Sequence, residues 1–289
     1  RDMLGLPLMV HHSFSTIPLT GEFGAPGALK KGDIYTHCYH GFESSIIEGG
    51  DLRKDKCVSV ACHAAKERGV YFDVGHGQGS FNWTVAEIAS KEELWPDIIS
   101  TDLHKESCEG PCYDLATVIT KMLILGMPLE DAIRAATMTP ARAIHRQDLI
   151  GALSVGYEAD VAAFELVEVD VQLEDCQSQL RHCGNRFVPR AVWRAGERYV
   201  TTSPQQWPNA DSVARNRPAW DKLVVRDDIA PATVTPDHAA TNAVGDAAPK
   251  TKYQRTGDWN PNVQIQDDTF MFCTPCAGRT ASEQFAELR

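Results

Sequence analysis

Apolar residues in the first half of this chain come in short unbroken runs, and each run stops at histidine or aspartate. "LPLMVH" (6–11) closes on His11-His12. "DIYTHC" (33–38) closes on His37 and Cys38, with His40 just beyond. "VYFDVG" (70–75) leads to His76, and "DIIST" (97–101) leads to Asp102 and His104. Runs that are continuous rather than alternating predict strands buried on both faces, as in a parallel sheet. Between them lie segments with helical spacing at 56–69, 82–94, 113–126 and 128–138. Gly69 and Gly126 are natural helix stops, Asp114 is a natural N-cap and Pro128 opens the last helix. Strand and helix in alternation predict an α/β fold. In a (β/α)8 barrel, the carboxyl ends of the strands carry the active site.

The pattern changes near residue 150. "GALSVGYEADVAAFEL" and "RAVWRAGERYV" read as short β segments with tight turns at Gly156 and Ala195-Gly196. Beyond about residue 203, Pro, Ala, Asp, Asn and Thr dominate without periodicity, which predicts a disordered C-terminal tail. The expected organisation is therefore an α/β segment over 1–149, a small β appendage over 150–202 and a low-order tail over 203–289.

Charge narrows the partners. The 289 residues carry a net charge of −11, so no positive excess exists to neutralise phosphates of nucleic acid or an anionic membrane surface. No run of about 18 apolar residues occurs, which predicts no membrane span. Nine cysteines without a repeating framework suit a reducing, cytoplasmic setting. Cys273-x-x-Cys276 lacks the second pair that a structural zinc would need, and "NWT" at 82–84 reads as a chance sequon.

Neutral imidazole and carboxylate are good ligands for zinc. A single strand-end histidine is ordinarily just a hydrogen-bonded residue, but four such ends in succession, at His11, His37, His76 and Asp102, make a shared metal site the stronger reading. A phosphoesterase is disfavoured, because Lys105 alone supplies a cation beside these ends.

Taken together, "LPLMVH", "GDIYTHCYHG", "RGVYFDVGHGQGSFNW", "DIISTDLH", the segment from "GPCYDLATV" to "TPARAI", and "IGALSVGYEADVAAFEL" resemble the amidohydrolase superfamily. Within it, they resemble the dihydroorotase-like amidohydrolase/deacetylase metallohydrolases. The resemblance implies a partial TIM (β/α)8 barrel over 1–149, a β-sandwich appendage over 150–202 and a two-zinc centre in the full family pattern. His11, His37 and Asp102 would be metal ligands, and Asp102 would also shuttle the proton from hydroxide to leaving group. His76, Gly77, His104 and Tyr113 would face a small acylated substrate. Asp114 has two readings, helix cap or substrate contact, of which the cap is favoured.

The family's strand-one His-x-His pair and its bridging carboxylated lysine have no counterpart here. Two expectations stay open: part of a longer deacetylase-like hydrolase of amides or esters, or a truncated non-catalytic half-barrel that binds or completes a partner. Half of a barrel also presents open sheet edges, which favours a homo-oligomer.

Overall fold

The computed structural model describes residues 5–12, 17–21, 24–42, 44–48, 56–201 and 207–214. Strand β1 (Met9–His11) is followed, through turns, by β2 (Ile34–Thr36). A small antiparallel ribbon of β3 (Ile47–Glu48) and β4 (Cys57–Val58) precedes helix α1 (Val60–Glu67) and β5 (Tyr71–Asp73). Four helices follow: α2 (Trp83–Lys91), α3 (Leu115–Ile124), α4 (Leu129–Ala136) and α5 (Met138–Ala143). The last part is antiparallel, with β6 (Val161–Glu174), β7 (Leu180–Arg194) and β8 (Glu197–Tyr199).

β1, β2 and β5 pair in parallel, side by side in chain order. The segment expected as a fourth strand forms only a bridge, Asp73 to Ile98, yet it runs parallel to β5. Val74 N donates to Ile98 O, and Gly77 N donates to Thr101 O at 2.7 Å. All four expected strand ends therefore line one edge of one sheet. The fold is mixed α/β, and among the described residues the sheet stays open and no barrel closes.

Local chemistry explains the helix limits. Ser59 caps α1, so residues 56–58, expected as helix, are free to form β4. Asn82 caps α2 by accepting from Val85 N. Asp114 caps α3, its carboxylate accepting from Thr117 N at 2.6 Å. The predicted 128–138 helix breaks at Thr137 (φ −133°, ψ −85°) and restarts as α5. Tyr35, Tyr39, Phe72, Phe81, Trp83, Ile119 and Met122 fill the core between sheet and helices.

The strands of the β appendage are longer than the short segments expected, and they pack into the same core as the helices. β6 and β7 have 14 and 15 residues, and Val167, Val169, Val171 and Leu173 alternate with polar residues along β6. Leu173, Cys176, Cys183 and Phe187 belong to the same core as Trp83. The hairpin tip, residues 174–179, is buried although nearly every side chain is polar. Asp175 makes that possible, since its carboxylate accepts from the backbone N–H of Trp83, Gln177 and Gln179. At the other end, Arg194 pairs with Glu197 around Ala195-Gly196, both in the left-handed region, as a two-residue hairpin turn requires.

Residues 207–214 also depart from the expectation of a low-order tail beginning at 203. They include a helical turn at 210–214 and bury Trp207 against Tyr113 and the Arg186 guanidinium. Cys273 and Cys276 lie outside the described residues. No described helix is long and apolar enough to cross a membrane.

Candidate functional site

His11 ends β1, and His37 follows β2 with φ 64°. Their rings meet edge to face with centroids 4.2 Å apart and His37 Nε2 2.8 Å from His11 Nδ1. The protons on this pair follow from the partners. Gly75 O lies 2.6 Å from His37 Nδ1, and a carbonyl only accepts, so Nδ1 of His37 carries the hydrogen. His37 Nε2 is then a lone pair, and His11 Nδ1 donates to it. Burial lowers the pKa of His37, and His11 lowers it further, against the raising effects of Gly75 O and Asp102. A neutral imidazole with an unprotonated Nε2 is the form that binds a metal ion.

Asp102 reaches the same place from the segment beside β5. Its carboxylate lies against Gly77, where an added Cβ would come within 2.8 Å of Oδ2. Gly75 is equally confined, because a Cβ there would sit 2.3 Å from Thr36 Oγ1 and 2.8 Å from His37 Nδ1. Both glycines have positive φ, 47° and 50°. Positive φ also recurs at His37, at Asp102 (45°) and at Tyr113 (63°). Non-glycine residues held in this region concentrate at functional sites, because the strain survives only where the surroundings enforce it.

The other expected residues are placed differently from one another. His104 is exposed, and its Nδ1 donates to Asp102 O at 2.8 Å. His76, expected beside a substrate, is fully buried, and both ring nitrogens are engaged inside the protein, Nε2 with Lys121 and Nδ1 with Gly77 O. Tyr113 is buried too, and its hydroxyl donates to Glu174 Oε1.

Two groups escaped the sequence reading. Asp73 ends β5 in register with Thr36, which is in register with His11, so the three share one row and one face of the sheet. Asp73 accepts from Thr36 Oγ1 and Ser100 Oγ, while its Oδ1 is buried without a partner. Burial raises its pKa to about 6. The second group is Lys121, fully buried on α3. Asp73 could have been noticed as an acid inside an apolar strand; nothing near Lys121 in the sequence marks it.

The donors suit a borderline divalent cation in part. Two imidazoles and a nearby carboxylate are the right chemistry, but among the described residues no group of three His, Cys, Asp or Glu side chains is arranged to hold a metal ion. A catalytic zinc takes about three protein ligands.

Comparison with known proteins places this geometry in context. Residues 86–199 match the amidohydrolase family. A deacetylase of Agrobacterium fabrum is 38% identical over 183 residues, covering 60% of this chain and 43% of that protein. A deacetylase of Enterococcus faecalis is 35% identical over 67% of this chain and 51% of its own length. The crystal structure of an adenine deaminase superposes with a TM-score of 0.61 at 34% identity, over 67% of this chain and 50% of that one. A dihydroorotase structure gives 0.57 at 34% identity, over 69% and 51%. The chain spans about half the length of the curated relatives it matches.

Proposed function

On the premise that residues 86–199 form an amidohydrolase-family segment, we propose that the protein is a metal-dependent hydrolase that cleaves an amide or ester bond of a small acylated substrate, in the manner of a deacetylase. The observation that carries this reading is the meeting of His11 and His37 at adjacent strand ends, with His37 in the tautomer that leaves Nε2 unprotonated, beside Asp102.

His11 and His37 would hold zinc. When bound, zinc would polarise the acyl carbonyl and acidify water enough for attack near neutral pH. The rest falls to the chain itself. Gly75 O keeps His37 turned with Nε2 toward the site. Asp102 takes the proton from the attacking water and returns it to the leaving group. His104, hydrogen-bonded to the backbone of Asp102, stands at the exposed mouth and contacts the substrate.

Two imidazoles fall short of a full ligand set, so this chain by itself is expected to hold zinc weakly and to be a poor catalyst. A protein in which an N-terminal half completes the site is expected to deacetylate N-acetyl amino acids or acetylated hydroxy acids. There, Asp102→Asn should lower kcat by about 100-fold or more. Zinc content and deacetylation, measured on both, are the test. Two tight zinc ions per isolated chain with Asp102-dependent turnover would overturn the incompleteness. No hydrolysis by the completed protein would overturn the hydrolase reading.

A second reading, a half that docks onto a partner, has its own observation. Among the described residues β1 is an edge strand, and Met9 on it and Leu8 beside it are 57% and 45% exposed. Such an edge is a template for another strand.

A further inference from the structure

Lys121 is fully buried, and its ammonium group is held on three sides. It donates to Glu174 O at 2.6 Å, to His76 Nε2 at 2.7 Å and to Pro111 O at 3.0 Å. An ammonium group has three N–H donors and no acceptor, so each donor finds one partner. Phe81 lies 5.0 Å from the charge and stacks on the His76 ring. Three separate segments thus converge on one cation: the 76–77 loop, the 111–113 loop and the tip of the β6–β7 hairpin.

The consequence runs through His76. Because Lys121 donates to Nε2, the His76 hydrogen must sit on Nδ1, which donates to Gly77 O at 2.9 Å. That fixes the backbone of the loop carrying Gly75 and Gly77. Gly75 O is the acceptor that holds the His37 tautomer, and Gly77 is the surface on which Asp102 rests. The His37 tautomer is imposed from outside, since a neutral imidazole in water favours the hydrogen on Nε2.

We infer that Lys121 is a positioning residue: through His76 it sets the 75–77 loop, and through that loop it holds His37 with Nε2 unprotonated and aimed at His11. The β6–β7 hairpin tip takes part, because Glu174 O is one of the acceptors that keep the ammonium in place. The inference depends on the hydrolase reading only for what His37 is aimed at. Its test is run without metal, so the two fail separately.

The test is long-range 1H–15N NMR of the imidazole nitrogens in the metal-free 289-residue chain. The native chain should show His37 as a single Nδ1–H tautomer. Lys121→Met, of similar length but without donors, should lose that pattern while His63 and His182, distant from the loop, keep theirs. A merely structural lysine would change stability and leave the His37 tautomer alone. A folded K121M variant with the His37 pattern intact overturns the inference. If K121M does not fold, H76Q decides: its amide oxygen can still accept from Lys121, but it has no ring N–H for Gly77 O. Loss of the His37 tautomer in H76Q supports the linkage, and retention overturns it.

Discussion

At Gly77 the difference between a hydrogen and a methyl group is enough to disturb the site. A Cβ there would lie 2.8 Å from Asp102 Oδ2, and φ is 50°. Gly126, just after α3, also has positive φ but open space around it. Gly126→Ala should therefore cost only the left-handed backbone penalty, about 1–2 kcal/mol. Gly77→Ala should cost more, because either Asp102 or the loop must move. Urea denaturation of the two variants checks the difference, and equal losses would mean that Asp102 yields freely. The buried imidazoles make a second prediction. Burial, with His12, His37 and His11 nearby, lowers the pKa of His40 to about 3. Burial is also the largest lowering effect at His12, His37 and His76. Unfolded imidazoles take up protons below about pH 6.5 and the folded ones only at lower pH, so stability falls as pH drops from there toward 3. His40→Gln should remove its share of that slope, about 3 kcal/mol between pH 7 and 4. Parallel acid profiles for wild type and variant would contradict it.

Elements show which parts of the fold the sequence declares. The Asp114 cap is local chemistry, and Asp114→Ala should cost about 1 kcal/mol in a urea titration. The Ala195-Gly196 turn is equally local. Ala195 sits at φ 49°, so Ala195→Gly should raise stability by about 1 kcal/mol, seen as a higher urea midpoint. Strand ends, caps and this turn were legible because each rests on a few neighbouring residues. The length of β6 was also legible in principle, since Val167, Val169, Val171 and Leu173 repeat with period two. The hairpin tip was not. "EDCQSQ" reads as a solvated loop, and its burial depends on the backbone N–H of Trp83 and on Lys121, both far away in the chain. The candidate site divides the same way: His11, His37 and Asp102 follow from strand-end position, whereas the burial of His76 depends on a lysine 45 residues further on. Trp207 was missed because a single aromatic in a Pro- and Asn-rich stretch gives no periodic signal.

On the scale of the whole molecule, sheet, helices and hairpin share one core. Trp207 lies over the junction, against Tyr113 and Arg186, with Asn209 N donating to the Tyr113 hydroxyl at 2.8 Å. Trp207→Ala should destabilise the whole unit by about 3–5 kcal/mol in a single cooperative transition. A loss under about 1 kcal/mol, or a separate early transition, would show that this segment is only laid on the surface. The hairpin tip also sets a timetable for a chain that emerges residue by residue. The indole N–H of Trp83 waits for Leu173 O, 90 residues later. At 5–20 residues per second, that is a delay of roughly 5–20 s. During it the Phe81–Trp83 surface has no cover and Lys121 lacks Glu174 O, so the growing chain should be a chaperone client until the hairpin arrives and closes the core from its far end.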